Sequence, residues 1–218
     1  MKGCFITLEG PEGAGKSTQT TRLKRFLEKR RLPCIATREP GGTPIGDRIR
    51  ELLLDPGAGE MSLQAEVLLY AASRAQLVEE VIRPALEKGW TVLCDRYVDS
   101  SMVYQAYGAG ANPKDVRQVN QVAIQGLLPD RTYLLDLPLE ESIRRLEGRG
   151  ISRDRIELKG QDYHQKVRDG FHHLATLHPE RFCIIDGTLS ADEVFSRIVM
   201  DLQKTLGEKI PLREDGSG

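Results

Sequence analysis

No apolar run in this 218-residue chain approaches the roughly 20 residues a membrane-crossing helix needs, and the N-terminus MKGCFITLEG lacks signal-peptide architecture. A cytoplasmic protein without a membrane partner is expected. Charge excess of either sign is missing too: 31 Lys and Arg stand against 32 Asp and Glu, a net charge of −1, so no global field favours nucleic acid as a partner. The four cysteines, at 4, 34, 94 and 183, never form C-x-x-C, which removes the usual zinc and redox spacings. Each lies in an apolar run and is expected to be a buried, reduced, small hydrophobe. The four histidines, His164, His172, His173 and His178, share one helical stretch without H-E-x-x-H, and a solvated helix surface is expected of them. Repeats, low-complexity tracts and linkers are likewise lacking. The length fits one domain over 1–207, with 208–218, poor in apolar residues, expected to fray as a C-terminal tail.

What is present is alternation. Short β-branched and aromatic runs, CFITL, PCIAT, TVLCD, TYLLDL and FCIID, are separated by segments of helical period. That order predicts an α/β fold in three layers, a central parallel sheet of about five strands with helices on both faces. Ser17 to Arg30 sets Leu23, Phe26 and Leu27 on one helix face. Ser62 to Lys88 reads as one long helix, kinked late by Pro84 and ended by Gly89.

Between the first strand and the first helix stands GPEGAGKST. Gly10, Gly15, Lys16 and Ser17 satisfy G-x-x-x-x-G-K-[ST], in the strand-before, helix-after context the motif requires. Glycines let backbone N–H groups wrap a phosphate chain, and the helix N-terminus adds positive potential. Gly10, Pro11, Glu12, Gly13, Ala14, Gly15, Lys16, Ser17 and Thr18 are therefore the expected nucleoside triphosphate site. Lys16 is expected to reach the β and γ phosphates, and the Ser17 hydroxyl to hold Mg²⁺. Guanine-binding switches carry N-K-x-D, and D-x-x-G after a strand; neither occurs here. Instead, arginines follow successive strands, Arg38 in TREPGG and Arg96 in DRY, where a parallel sheet collects ligands beyond its carboxyl ends. A second anionic ligand opposite the triphosphate accounts for them. A further basic group, GRGISRDR with Arg149, Arg153 and Arg155 beside the hinge glycines Gly148 and Gly150, is a candidate mobile lid over about 147–158.

With these residues on the page, the chain resembles the thymidylate kinase family over nearly its whole length. LEGPEGAGKST, TREPGGT, AEVLLYAASRAQL, DRYVDSSMVYQ and RGISRDRIE occur in that order and at the family's usual distances. The resemblance implies the P-loop nucleoside monophosphate kinase fold, a homodimer formed through long helices such as 62–88, and transfer of the γ-phosphoryl of ATP to dTMP with Mg²⁺, giving dTDP and ADP for dTTP synthesis. It implies Glu12 near the acceptor sugar's 3′-hydroxyl, Arg96 as clamp on the dTMP phosphate with Arg38 nearby, and Asp95 at Mg²⁺ or its waters. It further implies Tyr70 stacked on thymine, Arg74 at the base oxygen, Ser101 and Gln105 at the base edge, and Tyr104 against the sugar. Gly13 stands where one branch of the family has a catalytic arginine, so charge neutralisation is expected from the lid, through Arg149 and Arg153. Two features depart from the pattern: Ala106 and Ala109 replace a glycine and an arginine after Tyr104 and Gln105, and the lid is one residue longer than one form of the family. The alternatives are a kinase for another nucleoside monophosphate and, in a different class, a P-loop nucleotide switch.

Overall fold

β1, Cys4–Glu9, is buried along its entire length, Thr7 and Glu9 included, as a central strand covered on both faces must be. In the computed structural model, which describes residues 3–148, 150, 152–207 and 210, four further strands join it: β2 (Cys34–Arg38), β3 (Thr91–Asp95), β4 (Arg131–Asp136) and β5 (Phe182–Asp186). All pairings are parallel and the order is β2-β3-β1-β4-β5. The expected five-stranded parallel sheet is present.

Helices cover both faces. α1 (Lys16–Lys29) and the last helix, Ala191–Leu206, pack Leu23, Leu27, Ile198 and Leu202 onto Ile6, Leu8, Tyr133 and Leu135. That last helix starts with a capping box between Ser190 and Glu193. In chain order follow α2 (Pro44–Leu54), α3 (Leu63–Leu77), α4 (Arg83–Glu87), α5 (Val98–Ser101), α6 (Pro113–Ile124), α7 (Leu139–Glu147) and α8 (Gln161–Leu177), and the opposite face is covered by side chains of α3, α4, α5, α6 and α8. Of these, α3 is joined to α4 through a π-helical turn, Val78–Ile82, which comes before Pro84, so the expected long helix is one rod with its irregularity a turn earlier than the proline suggests. Gly89, at φ 78°, ends it. A second π-helical stretch, Met102–Gly108, carries Tyr104 and Gln105 on from α5 and contains Ala106; Ala109 caps it and Gly110 turns away at φ 81°.

Among the described residues, three non-glycine residues hold left-handed backbone: Arg31 at φ 57° after α1, Gln125 at φ 48° after α6, and Arg96 at φ 70° directly after β3. The first two close helices, where such a turn is routine. Arg96 instead stands at the carboxyl end of β3, where strained backbone points to a candidate functional position.

Three expectations need correction. Cys4 and Cys94 are buried, but Cys34 and Cys183 are only partly so, because β2 and β5 are the sheet's edges. Within the tail, Ile210 is 1% exposed and joins the α1 cluster, its N–H donating to Leu206 O at 2.7 Å; the remainder of 208–218 lies outside the described residues. The histidines are not uniformly solvated: His172 Nε2 lies 3.0 Å from Asp136 Oδ1, and the His164 side chain is 12% exposed and faces the glycine loop.

Candidate active site

The glycine loop leaves β1 and enters α1 through Gly15, at φ 91°, a conformation that excludes most side chains. Gly10 is still more constrained, since an added Cβ would meet Leu135 O at 2.4 Å. Lys16 folds over the loop and donates to the carbonyls of Gly10 at 2.9 Å and Pro11 at 2.6 Å. Burial, then the nearby Arg96 charge, brings its pKa down to about 8. Ser17 Oγ donates to Asp95 Oδ2 at 2.5 Å, so the hydroxyl of α1 and the carboxylate that ends β3 meet at one point.

Beyond the loop lies a cavity of about 440 Å³, within the range of small-molecule sites. Glu12, Lys16, Ser17, Arg38, Tyr70, Arg74, Asp95, Arg96, Ser101, Tyr104 and Gln105, all expected from sequence, line it together with Gly13, Gly15 and Thr18. Gly10 and Pro11 serve as acceptors for Lys16, while Ala14 turns into the core.

Arg96 organises the centre. Its Nη1 donates to Gly10 O at 3.0 Å and Ser100 Oγ at 3.3 Å, its Nη2 to Glu12 Oε1 at 3.1 Å, and the guanidinium sits 4.7 Å from the centre of the Tyr104 ring. Tyr104 OH donates to that same Glu12 oxygen at 2.7 Å. The awkward carboxylate inside an anion-binding loop therefore has both an arginine and a phenol as partners. Behind them Glu9 is fully buried, accepting from Tyr97 N at 2.8 Å and Ser100 Oγ at 2.6 Å; burial and then Asp99 push its pKa up to about 8.

Arg74 reaches the wall with its donors already used. Nε donates to Glu39 Oε2 at 2.7 Å, Nη1 to Ser101 Oγ at 2.9 Å and to Asn120 Oδ1, and Nη2 to Tyr97 O at 3.2 Å. The side chain is buried and ties α3, α5 and α6 together. Gln105 likewise donates to Glu66 Oε1 at 3.0 Å.

Sequence reasoning missed three basic groups here. Arg50 of α2 lines the cavity; burial, then Arg38, lowers its pKa, and Arg96 adds to that, so three guanidinium groups crowd one wall as an anion site requires. Arg145 of α7 also lines it, donating to Gly13 O at 3.2 Å and Gly187 O at 3.0 Å while paired with Glu141. His164 faces Glu12 from α8, Nδ1 to Oε2 at 3.6 Å. The repeated charges of RRLEG and the helical period were visible, but nothing local marks which arginine turns inward.

Of the two favoured lid arginines, Arg149 lies outside the described residues, and Arg153 pairs with Glu147 at 3.2 Å without lining the cavity. The far end of the expected lid segment is packed rather than loose. Arg155 donates from its backbone N–H to Leu54 O at 3.1 Å and from Nε to Leu53 O at 2.7 Å, and pairs with Glu66 at 2.8 Å. Ile156 is 4% exposed.

A parallel sheet ordered 2-3-1-4-5, a phosphate loop after its first strand, and a second basic cavity facing that loop define a P-loop phosphotransferase with an anionic acceptor, a nucleoside monophosphate kinase by architecture. The family model described as Thymidylate kinase matches residues 8–198. Among curated proteins, the thymidylate kinase of Exiguobacterium sibiricum is 48% identical over 202 residues, covering 93% of this chain and 95% of that protein. The Deinococcus radiodurans enzyme is 50% identical over 197 residues, 90% and 95% of the two chains. The crystal structure of thymidylate kinase from Ehrlichia chaffeensis superposes with a TM-score of 0.73 at 30% identity, covering 93% of this chain and 100% of that one. The chain belongs to the thymidylate kinase family, ATP-dependent kinases whose known reaction is phosphorylation of dTMP to dTDP.

Proposed function

We propose that this chain transfers the γ-phosphoryl of ATP to the 5′-phosphate of dTMP, with Gly10 to Thr18 cradling the ATP phosphates and the cavity beyond them taking dTMP. The observation that carries the reading is the convergence of Arg96, Glu12 and Tyr104 on the side of the cavity facing Lys16. Two anionic groups brought toward each other need positive charge between them, and Lys16, Arg96, Arg38 and Arg50 supply it.

The remaining assignments follow the same division. Arg96, with Arg38 nearby, holds the acceptor phosphate, and Glu12 lies on the acceptor sugar. Tyr104, already hydrogen-bonded to Glu12, walls that sugar. Tyr70, whose phenol is pushed well up by burial, presents its ring to the base. Arg74 acts on the base through the fixed Ser101 edge, since its own donors are used within the protein. Ser17 and Asp95 are hard oxygen donors already in contact, a set suited to Mg²⁺. They would hold the ion, which when bound neutralises charge on the phosphate oxygens. Arg145, against Gly13, shares with Arg149 and Arg153 the task of neutralising charge that develops on the moving phosphoryl group. Phosphoryl transfer needs positioning and charge stabilisation more than covalent help, so no general base is assigned.

A homodimer is part of the proposal. Ile45 and Leu52 of α2 and Leu68 of α3 are 54%, 47% and 57% exposed, apolar side chains on two neighbouring helices of one face.

The test is ADP release with ATP and Mg²⁺, offering dTMP, dUMP, dCMP, dGMP and dAMP separately beside a no-acceptor control. Preference for dTMP with matching dTDP formation is expected. Preference for another monophosphate would overturn the base-site assignments, and acceptor-independent release would make the chain a nucleotide switch.

A further inference from the structure

Glu12 presents two carboxylate oxygens of unequal standing. Oε1 accepts from Arg96 and Tyr104, whereas Oε2 is closed off from solvent and has no hydrogen-bond partner among the described residues. Burial would raise the pKa of this carboxyl, yet Arg96 and then Lys16 outweigh it and hold the group below the usual carboxylate range. An ionised oxygen left buried without a donor is costly, and native structures rarely leave one so. The polar group that faces it is Nδ1 of His164, 3.6 Å away and itself mostly buried. That separation is just beyond a hydrogen bond, and a small rotation of either side chain closes it.

The surroundings of His164 hold it in place. Tyr163, its neighbour in the first turn of α8, donates its hydroxyl to Tyr104 O at 3.3 Å. The Tyr163 ring meets Tyr104 edge-on at 6.3 Å and His164 edge-on at 5.3 Å. One helical turn therefore braces both the Glu12 carboxylate and the phenol that shares it.

We propose that His164 is a positioning residue for the phosphoryl acceptor: its Nδ1–H donates to Glu12 Oε2 and fixes the carboxylate in the orientation whose other oxygen serves Arg96 and Tyr104. This rests on the reading of Glu12 as the acceptor-side carboxylate. Arg96 then meets the acceptor phosphate with its geometry set from behind, by α8.

The experiment compares His164→Leu, which removes the N–H and keeps bulk, with His164→Asn, whose amide nitrogen stands near the Nδ1 position. Thermal unfolding of each variant checks that it is folded. Loss of positioning predicts kcat about 10-fold lower for the leucine variant with KM for ATP within about twofold, and recovery by asparagine to within about threefold of the parent. In a Glu12→Gln background, adding His164→Leu is expected to change kcat by less than about twofold, because the shared oxygen charge is already gone. Unchanged kcat in the leucine variant, equal losses in the leucine and asparagine variants, or fully additive effects with Glu12→Gln would each overturn the proposal. Parent-like kinetics in Glu12→Gln alone would instead remove the acceptor-side reading of Glu12, and with it the reason for His164.

Discussion

Lys16 carries the clearest chemical strain at the residue scale. Its pKa of about 8, against 10.5 in an unrestrained lysine, means the folded chain binds fewer protons than the unfolded one between those values. Stability is therefore reduced below about pH 8 and recovers as pH climbs toward 10.5. Phosphate oxygens beside the ammonium would raise that pKa again. Nucleotide binding at pH 8.5 is thus expected to take up protons, which calorimetry in two buffers of different ionisation enthalpy measures directly; equal heats in both would contradict it. Arg74 gives a second expectation. Removing it as Arg74→Ala strands Glu39, 4% exposed, without its cation, and breaking such a pair typically costs about 3–5 kcal/mol. Urea denaturation should report that loss, so altered dTMP selection in this variant has to be read after its stability. The local motif made Lys16 and Arg74 legible in the sequence, but not that Arg74 spends its donors on Glu39, Ser101, Asn120 and Tyr97, which come from distant parts of the chain.

Among the elements, the stretch before α8 shows where linear reading stops. Gly148 and Gly150 invite a hinge, and the sequence pattern says lid; yet Arg155, at the end of the basic run, is anchored to the end of α2 and to Glu66 of α3. Those contacts join residues about a hundred positions apart, and no periodicity encodes them. Arg155→Ala should release the anchor. Amide exchange is expected to accelerate at 155 and its neighbours while the β1 and β3 amides keep their protection, because local opening draws on few contacts outside the segment. Uniform acceleration across the sheet would show that the anchor supports the whole fold instead. Strands and α1 were readable because each owes its burial to its own apolar pattern. The inward turns of Arg145, Arg50 and His164 were not, since a charged residue on an amphipathic helix is written the same way whether it meets solvent or a ligand.

For the whole molecule, the sheet order and the glycine loop together locate the cavity, and α2 and α3 leave an apolar face beside it. Sedimentation is expected to give a dimer, and Leu68→Asp, placing a charge at a position 57% exposed, should shift it toward monomer without loss of secondary structure. A monomeric parent would end the homodimer reading. The three left-handed residues carry a last consequence. In a randomised library selected only for thermal tolerance, positions 31 and 125 should drift to glycine or asparagine, which relieve the backbone and give up little. Position 96 carries the same backbone bias but should resist it, because replacing the arginine strands Glu12. The substitution spectrum at these three sites would thus separate a turn from a ligand site without any substrate being supplied.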